Sequence, residues 1–341
     1  MKYTAKIRMS LLLLLCVVGY ANAQDTRFSQ PLNNRFALNP AMMGLSDDAR
    51  ISLNYRNQWA TIDNGFTTYS LAAMCPVFLA NRGDSSKRDL GKSRLDFGLN
   101  IVDDRSGAFN RINATFNIGY GLKLNPSNQV YAALSIGYIQ YSFGAMNQSF
   151  DEQYQYGAYN PQLANGENLA GNKGKPDVGV GFMWHYTPES ERVQVFAGLA
   201  GFHVNQPNMT LLSGGSGTLP ARFDFEAGVK IIGGKMDFTP VILYDLQGPF
   251  KQFTGGLLAD YKVGTNGSKG KLEIGAWYRQ SQAITFQAGY DYKFLLFAYS
   301  YDFGISDLTH VTSGLMTHEL TLAFKVYDMA AKKGVKSRAF L

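Results

Sequence analysis

Hydrophobic and polar residues alternate one by one along most of this chain. From Arg50 onward, Arg50, Ser52, Asn54, Arg56 and Gln58 fall on one side of an extended backbone, and Ile51, Leu53, Tyr55 and Trp59 on the other. The pattern returns in NATFNIGYGLKL, where Ala114, Phe116, Ile118, Tyr120, Leu122 and Leu124 alternate with smaller or polar residues, and again in RFDFEAGVKII and HELTLAFKV. A period of two predicts strands. They are expected at 49–59, 67–78, 94–104, 113–124, 129–143, 177–187, 193–205, 221–233, 236–247, 252–264, 270–280, 284–292, 295–303 and 317–327. The result is about 14 strands of roughly ten residues, the length and even count of a transmembrane antiparallel β-barrel.

A soluble sandwich would show the same alternation, with its apolar face as the core. Two features favour lipid. Charges of both signs share the polar face, among them Arg222, Asp224, Glu226, Lys230, Lys271, Glu273, Arg279, Asp291, Lys293, Glu319 and Lys325. Inside a closed barrel such charges can neutralise one another. The connections also sort by length. If the N-terminus is periplasmic, the tight turns near 125–128, 188–191, 233–235 and 267–269 fall on that side, and the long stretches 144–176, 206–220 and 304–316 fall outside. The charged stretch 79–93 breaks this rule. The polar face would serve either as filling of the lumen or as a polar conduit.

The N-terminus adds the compartment. Lys2, Lys6 and Arg8 precede an apolar run from Leu11 to Val18, and Ala21-Asn22-Ala23 provides small residues for cleavage before Gln24. This is the layout of a signal peptide over 1–23, and the run is shorter than the roughly 20 residues of a membrane-spanning helix. Cys16 follows Leu15, where lipoprotein processing would require a small residue. Removal of the leader leaves Cys75 alone, so no internal disulfide can staple the chain.

Among 341 residues there are 36 Gly, 20 Tyr and 23 Phe, and only 17% are charged, a composition suited to strands. The net charge of +6 is concentrated at the ends, in the leader and in Lys332, Lys333, Lys336 and Arg338. The near-neutral remainder offers no nucleic-acid surface. His185, His203, His310 and His318 lack metal-ligand spacing, and no nucleophile elbow is present. A His310, His318, Asp307, Ser313 grouping arises readily in such a loop and does not point to catalysis. No enzyme activity, metal or cofactor is expected. The outer stretch 144–176 carries Tyr154, Tyr156 and Tyr159 among amides and glycines. Such tyrosines suit recognition of a protein or glycan, and equally an interfacial aromatic girdle.

The segments FSQPLNNRFALNPAMMG, YRNQW, SYDFGISDL and SGLMTHELTLAF together resemble the PorP/SprF family of Bacteroidota outer-membrane proteins. The resemblance rests on Asn39, Pro40 and Gly44, on Arg56, Gln58 and Trp59, on Tyr301, Asp302 and Phe303, and on Gly314, His318 and Glu319. It implies an integral outer-membrane component of the type IX secretion and gliding machinery, serving secretion or surface attachment of cargo such as large adhesins. The implied partners are outer-membrane lipid, the cargo protein and periplasmic secretion components. It carries no catalytic residues. The matching positions are architectural or partner-binding: Asn39-Pro40 would turn the N-terminal segment into the barrel mouth, and Trp59 would join the outer girdle.

The expected layout is a leader over 1–23, an irregular periplasmic or plug-like segment over 24–48, the barrel over 49–327 and a basic tail over 328–341. Family chains usually end on the last aromatic strand, so the tail is a departure, either a periplasmic docking segment or simply disordered. The NPA stretch is also similar to the start of long-chain fatty-acid transporters, whose barrels carry an N-terminal plug. That alternative makes the protein a transporter of hydrophobic small molecules, and a general porin is a third reading.

Overall fold

The computed structural model describes residues 25–59, 65–79, 93–144, 151–160, 162–163, 171–212, 215–264, 270–306 and 315–328. The leader, most of the charged 79–93 stretch, the basic tail, and Asp307, His310, Ser313 and Gly314 lie outside the described residues.

The barrel begins with β1 (Asp48–Gln58), β2 (Phe66–Phe78), β3 (Ser93–Ser106), β4 (Phe109–Lys123) and β5 (Asn128–Phe143). A small hairpin, β6 (Tyr154–Gln155) and β7 (Ala158–Tyr159), interrupts it. It resumes with β8 (Asn172–Tyr186), β9 (Val193–Phe202), β10 (Arg222–Ile232), β11 (Met236–Gln247) and β12 (Phe250–Val263). β13 (Gly270–Arg279), β14 (Ala283–Tyr292), β15 (Leu295–Gly304) and β16 (Leu315–Asp328) complete it. Each barrel strand pairs antiparallel with the next barrel strand in the chain, β5 with β8 across the separate β6–β7 hairpin, and β1 pairs with β16 to close a barrel of 14 strands. The closing register sets Arg56 opposite Glu319 and Leu53 opposite Leu322. Among the described residues no helix is long and apolar enough to cross a membrane, so the crossing is made by strands.

The expected strands match these closely; β9 ends at Phe202 rather than 205, and two strands begin earlier than expected for a common reason. β4 starts at Phe109 rather than 113, and β8 at Asn172 rather than 177. There the ladder continues past the lipid-facing band through Asn110, Arg111, Lys173 and Lys175. Backbone pairing does not need an apolar face, so the alternation marks only the part in lipid. Lys293, expected inside, sits exposed in the β14–β15 turn, with its ammonium 4.9 Å from the centre of the Tyr292 ring.

Both ends of the barrel sequence, Asp48 and Asp328, pair at one end. The long connections 144–171 and 203–221 lie at the other, which is therefore outer, although tight turns occur there as well. In the two-residue turn after β3, Gly107 has φ of 57°, a conformation open to glycine without steric cost.

Outward side chains form the lipid face: Ile136, Phe225, Ile242, Ile274 and Phe286 are each about half exposed. Inward positions alternate with them, as in β11, where Asp237, Thr239, Val241, Leu243, Asp245 and Gln247 are all buried. Along β11 the inward face is thus polar toward both ends and apolar between, whereas along β1 it stays polar throughout, as the alternation suggested, through Arg50, Ser52, Asn54 and Arg56.

The middle is apolar because it has a protein partner. Residues 25–47 do not lie below the barrel but run through it. Leu32, Phe36, Leu38, Ala41, Met42, Met43 and Leu45 pack with Met74, Tyr131, Met183, Phe196, Val241, Leu243, Leu258 and Trp277 in one core. Each buried side chain of this size contributes about 1.5–3 kcal/mol.

Ile274 lies mid-strand on the lipid face and is 54% exposed. Ile274→Arg should lower the unfolding free energy of the lipid-embedded barrel by about 2–4 kcal/mol, read by urea titration in liposomes, whereas Ile274→Leu should change little.

Candidate functional site

The plug is held at three levels. At the outer end the Asp25 carboxylate meets Arg222 at 2.6 Å, Arg111 at 2.8 Å and His203 at 2.9 Å, and its N–H donates to Gln247. His203 bonds Asp177 through its other nitrogen at 2.7 Å. Arg27 lies 3.2 Å from both Asp224 and Asp245. Burial alone would raise the Asp25 carboxyl, but Arg111, His203 and Arg222 outweigh it and hold it well below the usual carboxylate range. For His203 burial acts downward, yet Asp25 and Asp177 raise it overall.

Below this, Glu319 accepts the backbone N–H groups of Ser29 at 2.6 Å and Gln30 at 3.2 Å, and the Asn34 amide at 3.2 Å. The Ser29 hydroxyl donates to Asp302 at 2.7 Å. One buried carboxylate on β16 therefore pairs backbone donors of a turn that has no ladder of its own.

Deeper still, the chain forms one helical turn, α1 (Arg35–Leu38), followed by a 3-10 helix, Pro40–Leu45. Asn39 uses both ends of its amide. The carbonyl oxygen accepts from the Ala41 N–H at 2.8 Å and caps the 3-10 helix, with Pro40 in its first turn. The amide nitrogen donates to the backbone oxygens of Phe182 on β8 and Leu199 on β9, at 3.0 and 3.2 Å, and to Glu226. A Cβ on Gly181 would come within 2.1 Å of the Asn39 oxygen and 2.9 Å of the Ala41 nitrogen, so only glycine admits this latch. Gly44 lies flat under the Tyr131 ring, where a Cβ would approach to 2.1 Å. At the periplasmic end Arg94 bonds Asp47, Asp96 and the carbonyls of Met43 and Ser46.

Of the motif positions, Asn39, Pro40 and Gly44 belong to the plug. Arg56, Gln58, Asp302 and Glu319, drawn from both ends of the chain, converge on the inward face near its outer end. Trp59, expected in the girdle, lines the outer cavity with Phe66, their rings 4.9 Å apart. Tyr301, Phe303 and His318 point away from the lumen. His318 bonds Tyr299 at 2.7 Å and packs edge-on to Tyr301, so it faces the barrel exterior. Tyr154 and Tyr159 pair across the small hairpin at 5.7 Å, and Tyr156 at its tip is 99% exposed. The sequence pattern named Arg222 among the inward charges but did not single out Asp25, Ser29, Gln30, Arg94 or Arg111. Their signal was the surplus of charge on inward faces, which a plug had to answer.

A cavity of about 300 Å³ lies between the plug and the outer wall, lined by Asp25, Thr26, Arg27, Arg56, Asp104, Arg279 and Asp302 with Trp59 and Phe66 at one side.

The model of the type IX secretion system membrane protein PorP/SprF matches residues 20–324. The chain belongs to the PorP/SprF family. It is a type IX secretion membrane component, integral to the outer membrane. No curated protein matches it. Among solved structures, a Pseudomonas aeruginosa FadL homologue aligns with TM-score 0.52 and 10% identity, over 85% of this chain and 93% of that one. The CymD monoaromatic hydrocarbon channel aligns with TM-score 0.50 and 14% identity, over 87% and 91%. These likenesses show a common fold.

In this PorP/SprF protein Asn39→Asp keeps size but removes the donors to the wall and sets a second carboxyl beside Glu226. It should cost the plug about 1–3 kcal/mol of anchoring, seen as faster protease cleavage between residues 25 and 47 in reconstituted protein. The outer anchor has a pH window. The Asp25 contribution is present above about pH 4 and lost as pH falls through its lowered value, and that of His203 is present below about pH 6.5 and lost as pH rises through its raised value. Hydrogen exchange of the Asp25–Ser29 amides should accelerate at both extremes, and the alkaline step should be absent in His203→Gln.

Proposed function

We propose that this protein is a non-enzymatic docking component of type IX secretion, needed for secretion or surface attachment of particular cargo proteins such as large adhesins, and that cargo does not pass through its lumen. The observation that supports this reading is the plug: residues 25–47 fill the barrel and are tied to the wall at both ends and in the middle. A chain in transit would have to displace that core and strip Arg222 of Asp25, Arg94 of Asp47 and Glu319 of the Ser29, Gln30 and Asn34 donors, at a cost of about 1–3 kcal/mol for each buried group left short of a partner.

The surfaces left for partners are the outer connections, including the Tyr154, Tyr156 and Tyr159 hairpin, and the periplasmic turns. Exposed tyrosine on a tight turn gives broad contact at low entropic cost. Periplasmic secretion components would meet the opposite end, where the basic tail over 328–341 is proposed to dock. Uptake of hydrophobic small molecules is the competing reading, but the cavity at the outer end is lined by arginine and aspartate and suits charged rather than apolar ligands.

Quantitative mass spectrometry of surface and secreted proteins in the native host, with and without the gene, tests the proposal. Loss of one or a few large surface proteins, restored by the intact gene, is expected. An unchanged surface proteome would overturn it.

A further inference from the structure

The outer cavity is walled on one side by two arginines with few partners. Arg56 is 4% and Arg279 6% exposed. A guanidinium carries five N–H donors. Among the described residues, Arg56 makes a hydrogen bond to Gln58 at 2.7 Å, its Nε has no hydrogen-bond partner, and Glu319 stands off at 3.8 Å. Arg279 donates to the Phe28 carbonyl at 3.2 Å, and Asp302 stands off at 3.6 Å.

Those carboxylates do not close in because they are already engaged. Glu319 holds Ser29, Gln30 and Asn34, and Asp302 holds the Ser29 and Thr285 hydroxyls at 2.7 Å each. Arg27, also on the cavity, is taken by Asp224 and Asp245. Two buried cations therefore retain unused donors beside the cavity, an arrangement that is costly without an anion.

The same cavity holds the complementary defect. Asp104 accepts the hydroxyls of Thr26 and Thr68, each at 2.6 Å, and among the described residues has no cation within ion-pair distance. The other two acids there are engaged elsewhere, Asp25 by Arg111, Arg222 and His203 and Asp302 by the Ser29 and Thr285 hydroxyls. A simple anion would satisfy the arginines but be repelled by Asp104, and a simple cation the reverse.

We propose that the outer cavity binds a small zwitterion, a free amino acid or short peptide, with its carboxylate on Arg56 and Arg279 and its ammonium on Asp104. The volume, about 300 Å³, is at the lower end of ligand pockets, which span roughly 300–1,000 Å³. Trp59 and Phe66 supply an aromatic wall for a side chain. Arg56, Arg279 and Asp104 all belong to the wall, on β1, β13 and β3, and Asp104 meets the plug through the Thr26 hydroxyl, so the ligand would lie directly against the plug.

Isothermal titration calorimetry on the full mature protein in nanodiscs tests this, with L-alanyl-L-alanine as probe beside its N-acetyl and C-amide derivatives. Binding of the dipeptide, weakened at least tenfold by either cap, is the expected result. Arg56→Gln should weaken the dipeptide while leaving the amide unchanged, and Asp104→Asn should do the same for the N-acetyl form. Absence of heat with the unmodified dipeptide, or equal affinity for capped and uncapped forms, would overturn the proposal. The capped probes act on the wild-type protein, so the test does not depend on either variant folding.

Discussion

Lipid offers no hydrogen-bond partners, so every backbone N–H and C=O in the membrane must be paired within the protein. For a chain of strands this forces closure, and the pairing of β1 with β16 is the contact on which the rest depends. It brings the first and last strands together, and with them residues distant in sequence: Arg56 stands opposite Glu319 only because the sheet closes at that register. Closure also creates an interior that must be filled or wetted.

The filling is the chain's own N-terminal segment, and the interior is graded to receive it. Polar anchors occupy the outer end, a belt of Met183, Phe196, Val241, Leu243 and Trp277 the middle, and Arg94 the periplasmic end. Apolar burial supplies affinity in the middle, while the buried polar groups fix register, since Asp25 and Asn39 each match one set of wall partners and Glu319 one set of plug donors. An interior of this kind is a folded core turned inside a membrane protein, and it gives the outer mouth a fixed floor against which loops and ligands can act.

That floor separates two roles. The exterior of the barrel meets lipid, with Tyr299, Tyr301, Phe303 and His318 clustered on its outer rim. The outer cavity meets water and carries balanced but incompletely paired charge.

The sequence by itself determined the strands, their number, their two faces and the compartment, because side chains in a strand alternate strictly and lipid imposes its own requirement on one face. It also marked Asn39, Arg56, Asp302 and Glu319 as positions to watch, through a resemblance carried by short motifs. It did not reveal that these residues meet, nor that 25–47 fills the lumen, since irregular segments have no period and their hydrogen bonds are made with partners hundreds of residues away, as Ser29 with Glu319. One hint was present in β11: Val241 and Leu243 are apolar on the face opposite Phe238, Ile242 and Tyr244, so both faces needed cover. Only the closed barrel decides which segment provides it, because the shape and charge of the lumen exist only once the strands have met.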